Sequence, residues 1–280
     1  MQRGGRLKAE ALVQIDSLLK AVASSRQSLL MLDYDGTLAP FRKNREQAFP
    51  YAGISSVLQE ILRTTNTRVV IISGRDAQEV VALLALEPRP EVWGLHGLQR
   101  LGKNGRPDLL PIGKDVADAL ETARDWLRYQ HLEDSAEFKA GSIALHWRGL
   151  SEPEVEAIRA RTLLGWWPIA KRTGLDLLEF DGGVEIRTPG ANKGDAVRVV
   201  MDEMKPNTPA VYLGDDLTDE AAFLAVNGRG LSILARPQWR STAAQLWLRP
   251  PEEVLDFFGR WLRACRDQDF CNRRPALVNA

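Results

Sequence analysis

The sequence predicts an α/β fold in which a mostly parallel sheet lies between two layers of helices. Short apolar runs alternate with segments of helical periodicity along most of the chain. Apolar runs without polar alternation are typical of strands that are buried on both faces, as in a doubly wound open sheet. Polar clusters follow these runs, and such sheets bind their ligands at the carboxyl ends of the strands. We therefore expect a functional site along one edge of the sheet.

Individual segments define the elements of this sheet. The predicted strands are the apolar runs in SLLMLDYD, TRVVIISGR, EVWGLHG and PAVYLGDD. The predicted helices between them include ISSVLQEILRTT, AQEVVALLAL and KGDAVRVVMDEM. Strands that alternate with helices are joined by crossover connections, which indicates parallel pairing.

Region 112–183 has a different pattern. DVADALETARDWLRYQ and EPEVEAIRARTLLGWW predict helices, whereas EFKAGSIALHWRG and LDLLEFDGGVEIRT predict strands of mixed polarity with glycine-rich turns. Such strands fit an antiparallel sheet with one solvated face. We interpret this region as an inserted α+β domain between two core segments, 26–111 and 184–262. Residues 1–25 are predicted to form an amphipathic helical extension, and residues 263–280 a loosely ordered tail.

Composition excludes several classes of protein. The 280 residues are 44% hydrophobic, and 37 basic residues balance 37 acidic ones. This balance argues against a nucleic acid or an anionic membrane as partner. We find no signal peptide and no apolar run that could cross a bilayer. Two cysteines and three histidines predict neither a disulfide framework nor a zinc site, so a cytoplasmic protein is expected.

The first candidate site follows the first predicted strand, in LLMLDYDGT. Residues two apart in an extended chain point to the same side, so Asp33 and Asp35 face one point beyond the strand. Neighbouring carboxylates repel each other unless a cation lies near them. A lone Asp-Gly pair is often only a turn. Two acids directly after a buried strand instead favour a site that holds a cation.

Three later segments carry matching polar groups. Ser73 follows VVII, and Lys193 opens a helical pattern after TPGAN. A hydroxyl with free N–H groups and a lysine charge both suit phosphoryl oxygens. Taken alone, Ser73 is equally compatible with a helix cap, and Lys193 with a solvated loop lysine. The run VYLG is followed by clustered oxygen ligands that suit Mg²⁺, namely Asp215, Asp216, Asp219 and Glu220.

In this order the four segments resemble the haloacid dehalogenase-like (HAD) phosphatases, whose signature is DxDGT, then Ser, then Lys, then an acidic motif. More narrowly, LDYDGTL, SGR, GLHG, KG and GDDLTDEAAF are similar to the trehalose-6-phosphate phosphatases. EFKAGSIALHWR is similar to the Glu-x-Lys…Ser…His-x-Arg pattern of that family. The resemblance implies a Rossmann-like HAD core with an inserted α+β cap domain, and it spans Leu29 to about Leu262.

The resemblance also implies catalytic roles. Asp33 is the nucleophile that forms an aspartyl-phosphate, and Asp35 is the general acid and then the general base. Ser73 and Lys193 bind the transferring phosphoryl oxygens.

The implied cofactor is Mg²⁺. Its expected ligands are Asp33, the backbone carbonyl of Asp35, and Asp215. Asp216 and Asp219 are expected to orient the loop and its water from outside this ligand set.

Sugar recognition is assigned by the resemblance mainly to the cap. On the core side, Gly74, Arg75 and His96 are candidate substrate-binding residues, although His96 is equally compatible with a structural hydrogen bond. The cap residues that the family pattern carries over as sugar contacts are Glu137, Lys139, Arg148 and Glu185. Each of these four can also be an ordinary surface charge on a strand.

Two departures from the family pattern bear on the substrate. The family often has a Gly-Lys pair shortly before the glutamate that matches Glu185, but FDGGVEIR contains no lysine, and Lys171 lies too far upstream. One sugar contact is therefore in question. The usual His-Tyr-Arg reads HWR here, which is a milder change.

The resulting hypothesis is a monomeric, Mg²⁺-dependent phosphatase that converts trehalose 6-phosphate into trehalose and phosphate. Its only expected partners are this small-molecule substrate and a trehalose-6-phosphate synthase on a separate chain. Two alternatives stay open. One is a phosphatase for another sugar phosphate, such as sucrose 6-phosphate or a glucosyl- or mannosyl-glycerate phosphate. The other is a regulatory subunit that binds a sugar phosphate without catalysis, although such a subunit would not need a nucleophile.

Overall fold

The computed structural model describes residues 2–42, 44–102, 105–109, 111–180, 182–189 and 192–272. Its α-helices are α1 (Gln2–Ser24), α2 (Ile54–Thr64), α3 (Ala77–Leu84), α4 (Lys114–Tyr129), α5 (Glu152–Thr173), α6 (Lys193–Asp202), α7 (Glu220–Val226) and α8 (Glu252–Asn272). Its strands are β1 (Ser28–Leu32), β2 (Thr67–Ile72), β3 (Glu91–Gly94), β4 (Gln99–Leu101), β5 (Pro107–Leu109), β6 (Ala136–Lys139), β7 (Ser142–His146), β8 (Asp176–Phe180), β9 (Gly183–Arg187), β10 (Ala210–Gly214), β11 (Leu231–Ala235) and β12 (Leu246–Leu248).

The larger sheet has eight strands in the order β12-β11-β10-β1-β2-β3-β4-β5. The strands from β12 to β3 pair in parallel, which confirms the predicted parallel core. The strands expected from the four apolar runs are β1, β2, β3 and β10. An antiparallel pair, β4 and β5, extends one edge. This pair was not predicted, because each strand has only 3 residues and so shows no clear alternation.

Helices cover both faces of the larger sheet, and neighbouring residues of β1 pack on opposite faces. Leu30 and Leu32 belong to a core that also contains residues of α1, α2, α3 and α8. Leu29 and Met31 belong to a second core with α6 and α7. Because successive side chains of a strand point to opposite faces, a strand covered on both sides has to be apolar at every position. This requirement explains the unbroken apolar run before Asp33.

The smaller sheet has four antiparallel strands in the order β6-β7-β9-β8. Helices α4 and α5 pack on one of its faces and form a separate apolar core. The elements are those expected for the α+β insertion. The sheet nevertheless continues to Arg187, so the predicted boundary at residue 183 falls at the start of β9 rather than after it. Gly182 belongs to the turn between β8 and β9 and Gly183 begins β9, and the sequence pattern could not distinguish this glycine pair from a domain boundary.

The two ends of the described chain pack together. Ile15, Leu19 and Val22 of α1 lie in the same core as α8, so the predicted N-terminal helix is part of the main body. Helix α8 continues to Asn272, and Ala264 and Cys265 are buried. The prediction of a loosely ordered tail is therefore wrong up to residue 272, because apolar residues at helical spacing continue past Leu262. Residues 273–280 lie outside the described part of the chain.

Within that described part, no helix has both the length and the hydrophobicity that crossing a bilayer requires.

Candidate active site

The site begins at the loop that follows β1. Asp33 continues the ladder of the sheet, since its N–H donates to the carbonyl of Leu213 on β10 at 2.8 Å. The chain then turns at Gly36, whose φ is +81° and whose N–H donates to the carbonyl of Ala39 at 2.7 Å. A Cβ on Gly36 would lie 2.1 Å from Oδ2 of Asp215. The glycine of DxDGT is thus required both by its backbone conformation and by the carboxylate beside it.

A buried cluster of charges forms at this end of the sheet. Lys193, the first residue of α6, places its Nζ 2.6 Å from Oδ1 of Asp33 and 2.7 Å from Oδ1 of Asp219. The Oγ1 of Thr37 donates to the other oxygen of Asp33 at 3.1 Å. All three charged residues are almost fully buried. The sequence segments that begin at Asp33, Lys193 and Asp215 therefore converge, as the sequence predicts.

This buried cluster contains more negative than positive charge. Burial raises the pKa of Asp33 to about 7, although Lys193 opposes the shift. Burial and the negative charges of Asp33 and Asp219 raise the pKa of Asp215 well above its usual range. Burial disfavours the ammonium of Lys193, but the charges of Asp219 and Asp33 outweigh it and raise its pKa. One lysine thus faces several carboxylates, which is the situation that a bound cation relieves.

Asp219 organises the acidic loop. Its Oδ1 accepts hydrogen bonds from Lys193 and from the hydroxyl of Tyr212, the latter at 2.5 Å. Its Oδ2 accepts the backbone N–H groups of Asp215 and Asp216, both at 3.0 Å. Both oxygens are therefore engaged by donors of the protein. This arrangement agrees with the expectation that Asp219 orients the loop.

The donor set suits a hard divalent cation. Asp33, Asp215 and Asp219 each offer a carboxylate oxygen, and the three oxygens lie within 4.8 Å of one another. Among the described residues, no lysine or arginine forms an ion pair with Asp215. Carboxylate oxygens left without a cation are the ligands that Mg²⁺ prefers. Asp219 accepts four hydrogen bonds and Asp33 accepts two, from Lys193 and Thr37, so the assignment of Asp33, Asp215 and the Asp35 carbonyl as the ligands stays a prediction.

The side chain of Asp35 is held by an arginine. Nε and Nη2 of Arg75 donate to the two carboxylate oxygens of Asp35 at 2.6 and 2.7 Å. Nη1 of Arg75 donates to the backbone carbonyl of Arg45 at 2.9 Å. A bidentate pair of this kind fixes the position of the carboxylate.

Ser73, Gly74 and His96 meet at the end of β2. The N–H of Arg75 donates to Oγ of Ser73 at 3.2 Å, and the N–H of His96 donates to the Ser73 carbonyl at 2.9 Å. A Cβ on Gly74 would lie 2.5 Å from the His96 ring. His96 has a left-handed backbone with a φ of 56°. Gly74 therefore lets the ring of His96 pack against the loop, which favours a structural contribution beside any contact with substrate.

The smaller sheet presents a polar face to this site. In its register Glu137 pairs with Ala144, and Ala144 pairs with Glu185. Residues that are paired across a sheet lie on the same face, so two carboxylates flank one small side chain. Lys139 lies on the same strand as Glu137, two residues further along. The missing bulk at Ala144 leaves room between the two glutamates.

Each cap carboxylate has several polar neighbours. Glu185 accepts a hydrogen bond from Oγ of Ser142 at 2.6 Å and lies 3.4 Å from Nε2 of His96 and 3.9 Å from Nζ of Lys139. Because His96 belongs to the core, this contact joins the two parts of the molecule. The guanidinium of Arg148 lies 4.2 Å from the centre of the Phe41 ring and makes a second such contact.

One cavity of about 610 Å³ unites the site. The larger sheet forms one wall and the smaller sheet the other. The residues predicted from the sequence all line it, namely Asp33, Asp35, Ser73, Gly74, Arg75, His96, Glu137, Lys139, Arg148, Glu185, Lys193 and Asp215. Their individual roles stay predictions. A cavity of this size accepts a ligand of disaccharide dimensions.

Sequence reasoning missed two contributors to this site. Arg45 lines the cavity and forms an ion pair with Glu137 across it. Tyr212, in the middle of β10, donates to Asp219 from within the core. Neither could be found from a motif, because Arg45 lies in a charged loop and Tyr212 in an apolar strand.

His96 gives the protein a testable pH dependence. Burial lowers the pKa of His96 from 6.5 to about 3, although the negative charge of Glu185 opposes the shift. The unfolded chain therefore binds a proton below pH 6.5 that the folded protein does not bind, and folding is weakened as the pH falls from there towards 3. We expect wild type to lose up to about 1.4 kcal/mol per pH unit relative to His96→Asn in this range.

Denaturant unfolding of both proteins between pH 4 and 7.5, without divalent metal, measures this difference. Asparagine tolerates a left-handed backbone, so the variant keeps the local conformation. Because the two proteins are compared at each pH, the contribution of the buried aspartates to the pH dependence cancels in the difference between their stabilities. A difference in stability that does not change with pH would show that His96 is protonated as easily in the folded state.

Comparisons with known proteins identify relatives of this chain. The family model described as trehalose-phosphatase matches residues 31–245. A trehalose-phosphate phosphatase from Mycobacterium marinum is 31% identical over 245 residues, which are 82% of this chain and 60% of that protein. The chain thus spans less than two thirds of the mycobacterial relative. A trehalose-6-phosphate phosphatase from Escherichia coli is 31% identical over 201 residues, covering 71% of this chain and 73% of that protein.

Solved structures share the fold. The C-terminal domain of a Candida albicans trehalose-6-phosphate phosphatase superimposes with a TM-score of 0.77 at 21% identity, covering 89% of this chain and 96% of that one. A haloacid dehalogenase-like hydrolase from Bacteroides thetaiotaomicron has a TM-score of 0.60 at 12% identity, covering 84% and 99% of the respective chains. Because the family model covers most of the described core and cap, the chain belongs to the trehalose-phosphatase family.

Proposed function

We propose that this protein is a Mg²⁺-dependent phosphatase that hydrolyses trehalose 6-phosphate to trehalose and phosphate. The observation that carries the proposal is the buried Asp33, which is held by Lys193 at the base of a cavity whose opposite wall bears Glu137 and Glu185. A nucleophilic carboxylate, a phosphate-binding cation and a wall of hydrogen-bonding groups for a sugar are what such a reaction needs.

In the first step Asp33 attacks the phosphorus atom. A bond forms between its carboxylate oxygen and phosphorus, and the bond from phosphorus to the sugar oxygen breaks. Asp35 gives a proton to the departing oxygen, so that trehalose leaves as a neutral alcohol. The bidentate pair with Arg75 has to loosen for Asp35 to carry that proton. Lys193 and Ser73 bind the phosphoryl oxygens during the transfer.

In the second step water hydrolyses the aspartyl-phosphate. Asp35, ionised again, accepts a proton from the water as it attacks phosphorus, and the bond to Asp33 breaks. Arg75 supports this step by holding the carboxylate of Asp35 in place through their ion pair. Phosphate leaves and Asp33 is restored.

The metal and the cap complete the proposal. Asp33, Asp215 and the Asp35 carbonyl hold Mg²⁺, which when bound neutralises phosphate charge and permits a carboxylate to approach it. Glu137, Lys139, Arg148 and Glu185 bind the sugar hydroxyls. Closure of the smaller sheet over the larger one excludes water from the reacting atoms. We further propose that the protein acts as a cytoplasmic monomer on substrate made by a separate synthase.

A panel of sugar phosphates tests the substrate. Phosphate release is measured with trehalose 6-phosphate, sucrose 6-phosphate, glucosyl- and mannosyl-glycerate phosphates and glucose 6-phosphate, with Mg²⁺ and with excess chelator. We expect trehalose 6-phosphate to have the highest kcat/KM and all release to stop with the chelator. Preference for another member of the panel would support the first alternative. Binding of a sugar phosphate without any release would support the regulatory one.

A further inference from the structure

The loop between β1 and α2 reaches across the cavity to the smaller sheet. Arg45 of this loop forms an ion pair with Oε1 of Glu137 on β6. Four residues earlier, Phe41 lies beneath the guanidinium of Arg148. The two contacts use different chemistry, but both join the loop that follows the nucleophile to a residue of the cap. The side chain of Arg45 is 37% exposed, so substrate and solvent can reach it.

Glu137 is surrounded by nitrogen-bearing side chains from two parts of the molecule. Its Oε2 lies 3.2 Å from Nε2 of His146 and 3.6 Å from Nζ of Lys139, both on the smaller sheet. Its Oε1 faces Arg45. Burial disfavours ionisation, but His146, Lys139 and Arg45 together outweigh it and hold the pKa of Glu137 below its usual range. Of these three neighbours, Arg45 is the one that belongs to the core.

Arg45 is also tied to the catalytic side of the cavity. Its carbonyl accepts Nη1 of Arg75 at 2.9 Å, and Arg75 in turn holds Asp35 through two bonds. A continuous series of contacts therefore runs from Asp35 through Arg75 and Arg45 to Glu137. This series joins Glu137 to the side of the cavity that carries Asp35. A carboxylate that is already held in place loses less conformational entropy when it accepts hydrogen bonds from sugar hydroxyls.

We propose that Arg45 is a specificity-determining positioning residue, which holds Glu137 over the phosphate site so that esters of hydroxyl-rich sugars are preferred to simple phosphate esters. This inference rests on the proposed function, since it assigns the cavity to a sugar phosphate. Arg45 acts through Glu137 and not on the phosphoryl group. Its loss therefore weakens recognition of the leaving group more than the chemical step.

The test compares two substrates, trehalose 6-phosphate and 4-nitrophenyl phosphate, whose leaving group has no sugar hydroxyls. For Arg45→Ala we expect the ratio of their kcat/KM values to fall about tenfold, the scale of one lost charge-assisted hydrogen bond. The fall should lie mainly in KM for the sugar phosphate. Arg45→Lys keeps the charge and should retain most of the preference.

Glu79→Gln is the matched control. Glu79 is a second carboxylate near Arg45, 3.9 Å from its Nη2 and 3.9 Å from Nη1 of Arg75, but it belongs to α3, is exposed to solvent and is not among the residues that line the cavity. Its replacement should leave the ratio unchanged. In Arg45→Ala/Glu137→Gln, the ratio should be no lower than in Glu137→Gln alone, because the two residues act as one unit.

The outcomes separate the two proposals. If wild type releases no phosphate from trehalose 6-phosphate, the proposed function is wrong and this inference falls with it. If wild type turns it over but Arg45→Ala keeps the wild-type ratio, the inference alone is overturned. An equal loss on both substrates also overturns it, because Arg45 would then support the active site as a whole. Matching unfolding midpoints confirm that the variants are folded.

Discussion

Replacement of Asp33 by asparagine is expected to abolish phosphate release while leaving the fold intact. An amide cannot form the aspartyl-phosphate, so kcat should fall by at least about ten-thousand-fold, as for the loss of other enzymic nucleophiles. Steady-state phosphate release with trehalose 6-phosphate measures this effect. Asp125→Asn, which changes an exposed residue on α4, is the control and should have wild-type activity.

The same variant makes a second, less obvious prediction. At neutral pH the carboxylate of Asp33 is disfavoured in the folded protein, since burial raises its pKa to about 7. Asparagine removes that charge, and Lys193 keeps its partner Asp219. Without metal, Asp33→Asn should therefore be at least as stable as wild type. A variant that unfolds, or one that retains substantial activity, would refute the role given to Asp33.

Replacement of Lys193 by methionine is expected to have the largest effect on stability. The substitution leaves Asp33 and Asp219 buried without the cation that lies 2.6 and 2.7 Å from them. Removing one partner of a buried ion pair costs about 3–5 kcal/mol. Phosphate release should also be lost, because the ammonium group that binds the phosphoryl oxygens would be missing. Denaturant unfolding at pH 7.5, with and without Mg²⁺, measures the change.

Two further variants test the electrostatic cause. Lys205→Met changes an exposed lysine and should leave stability unchanged. Lys193→Met/Asp219→Asn removes one of the stranded charges, so it should be more stable than Lys193→Met alone. If the double variant is less stable than the single one, the hydrogen bonds that Asp219 accepts from Tyr212 and the acidic loop matter more than its unpaired charge.

The larger sheet could be predicted because the sequence of each strand reflects whether its two faces are buried. Leu29, Leu30, Met31 and Leu32 are apolar because both faces of β1 are covered, and that pattern is visible without knowing its neighbours. Parallel pairing of β1 and β10 then places the carboxyl ends of both strands, and with them Asp33 and Asp215, at one edge of the sheet. The resemblance to the HAD phosphatases supplied a catalytic role for each motif, and the structure brings the corresponding side chains to one cavity.

The remaining features depend on contacts between distant segments. The end of the smaller sheet at Arg187 depends on β9 pairing with β7 and β8, and no local signal distinguishes that pairing from a return to the core. The ion pair of Arg45 with Glu137 depends on how the loop after β1 lies beneath the cap. From the sequence alone Tyr212 is an ordinary core aromatic residue, and its hydrogen bond to Asp219 is visible only in the structure. Residues of this kind can be assigned only once the segments are placed together.

The most direct measurement of the central claim is the site of covalent phosphorylation. Wild type with Mg²⁺ is mixed with trehalose 6-phosphate, quenched in acid within the first turnover, digested and mapped by mass spectrometry. We predict a phosphoryl group on the peptide that contains Asp33, and none in Asp33→Asn treated in the same way. Turnover of trehalose 6-phosphate with the phosphoryl group trapped on a different residue would contradict the account.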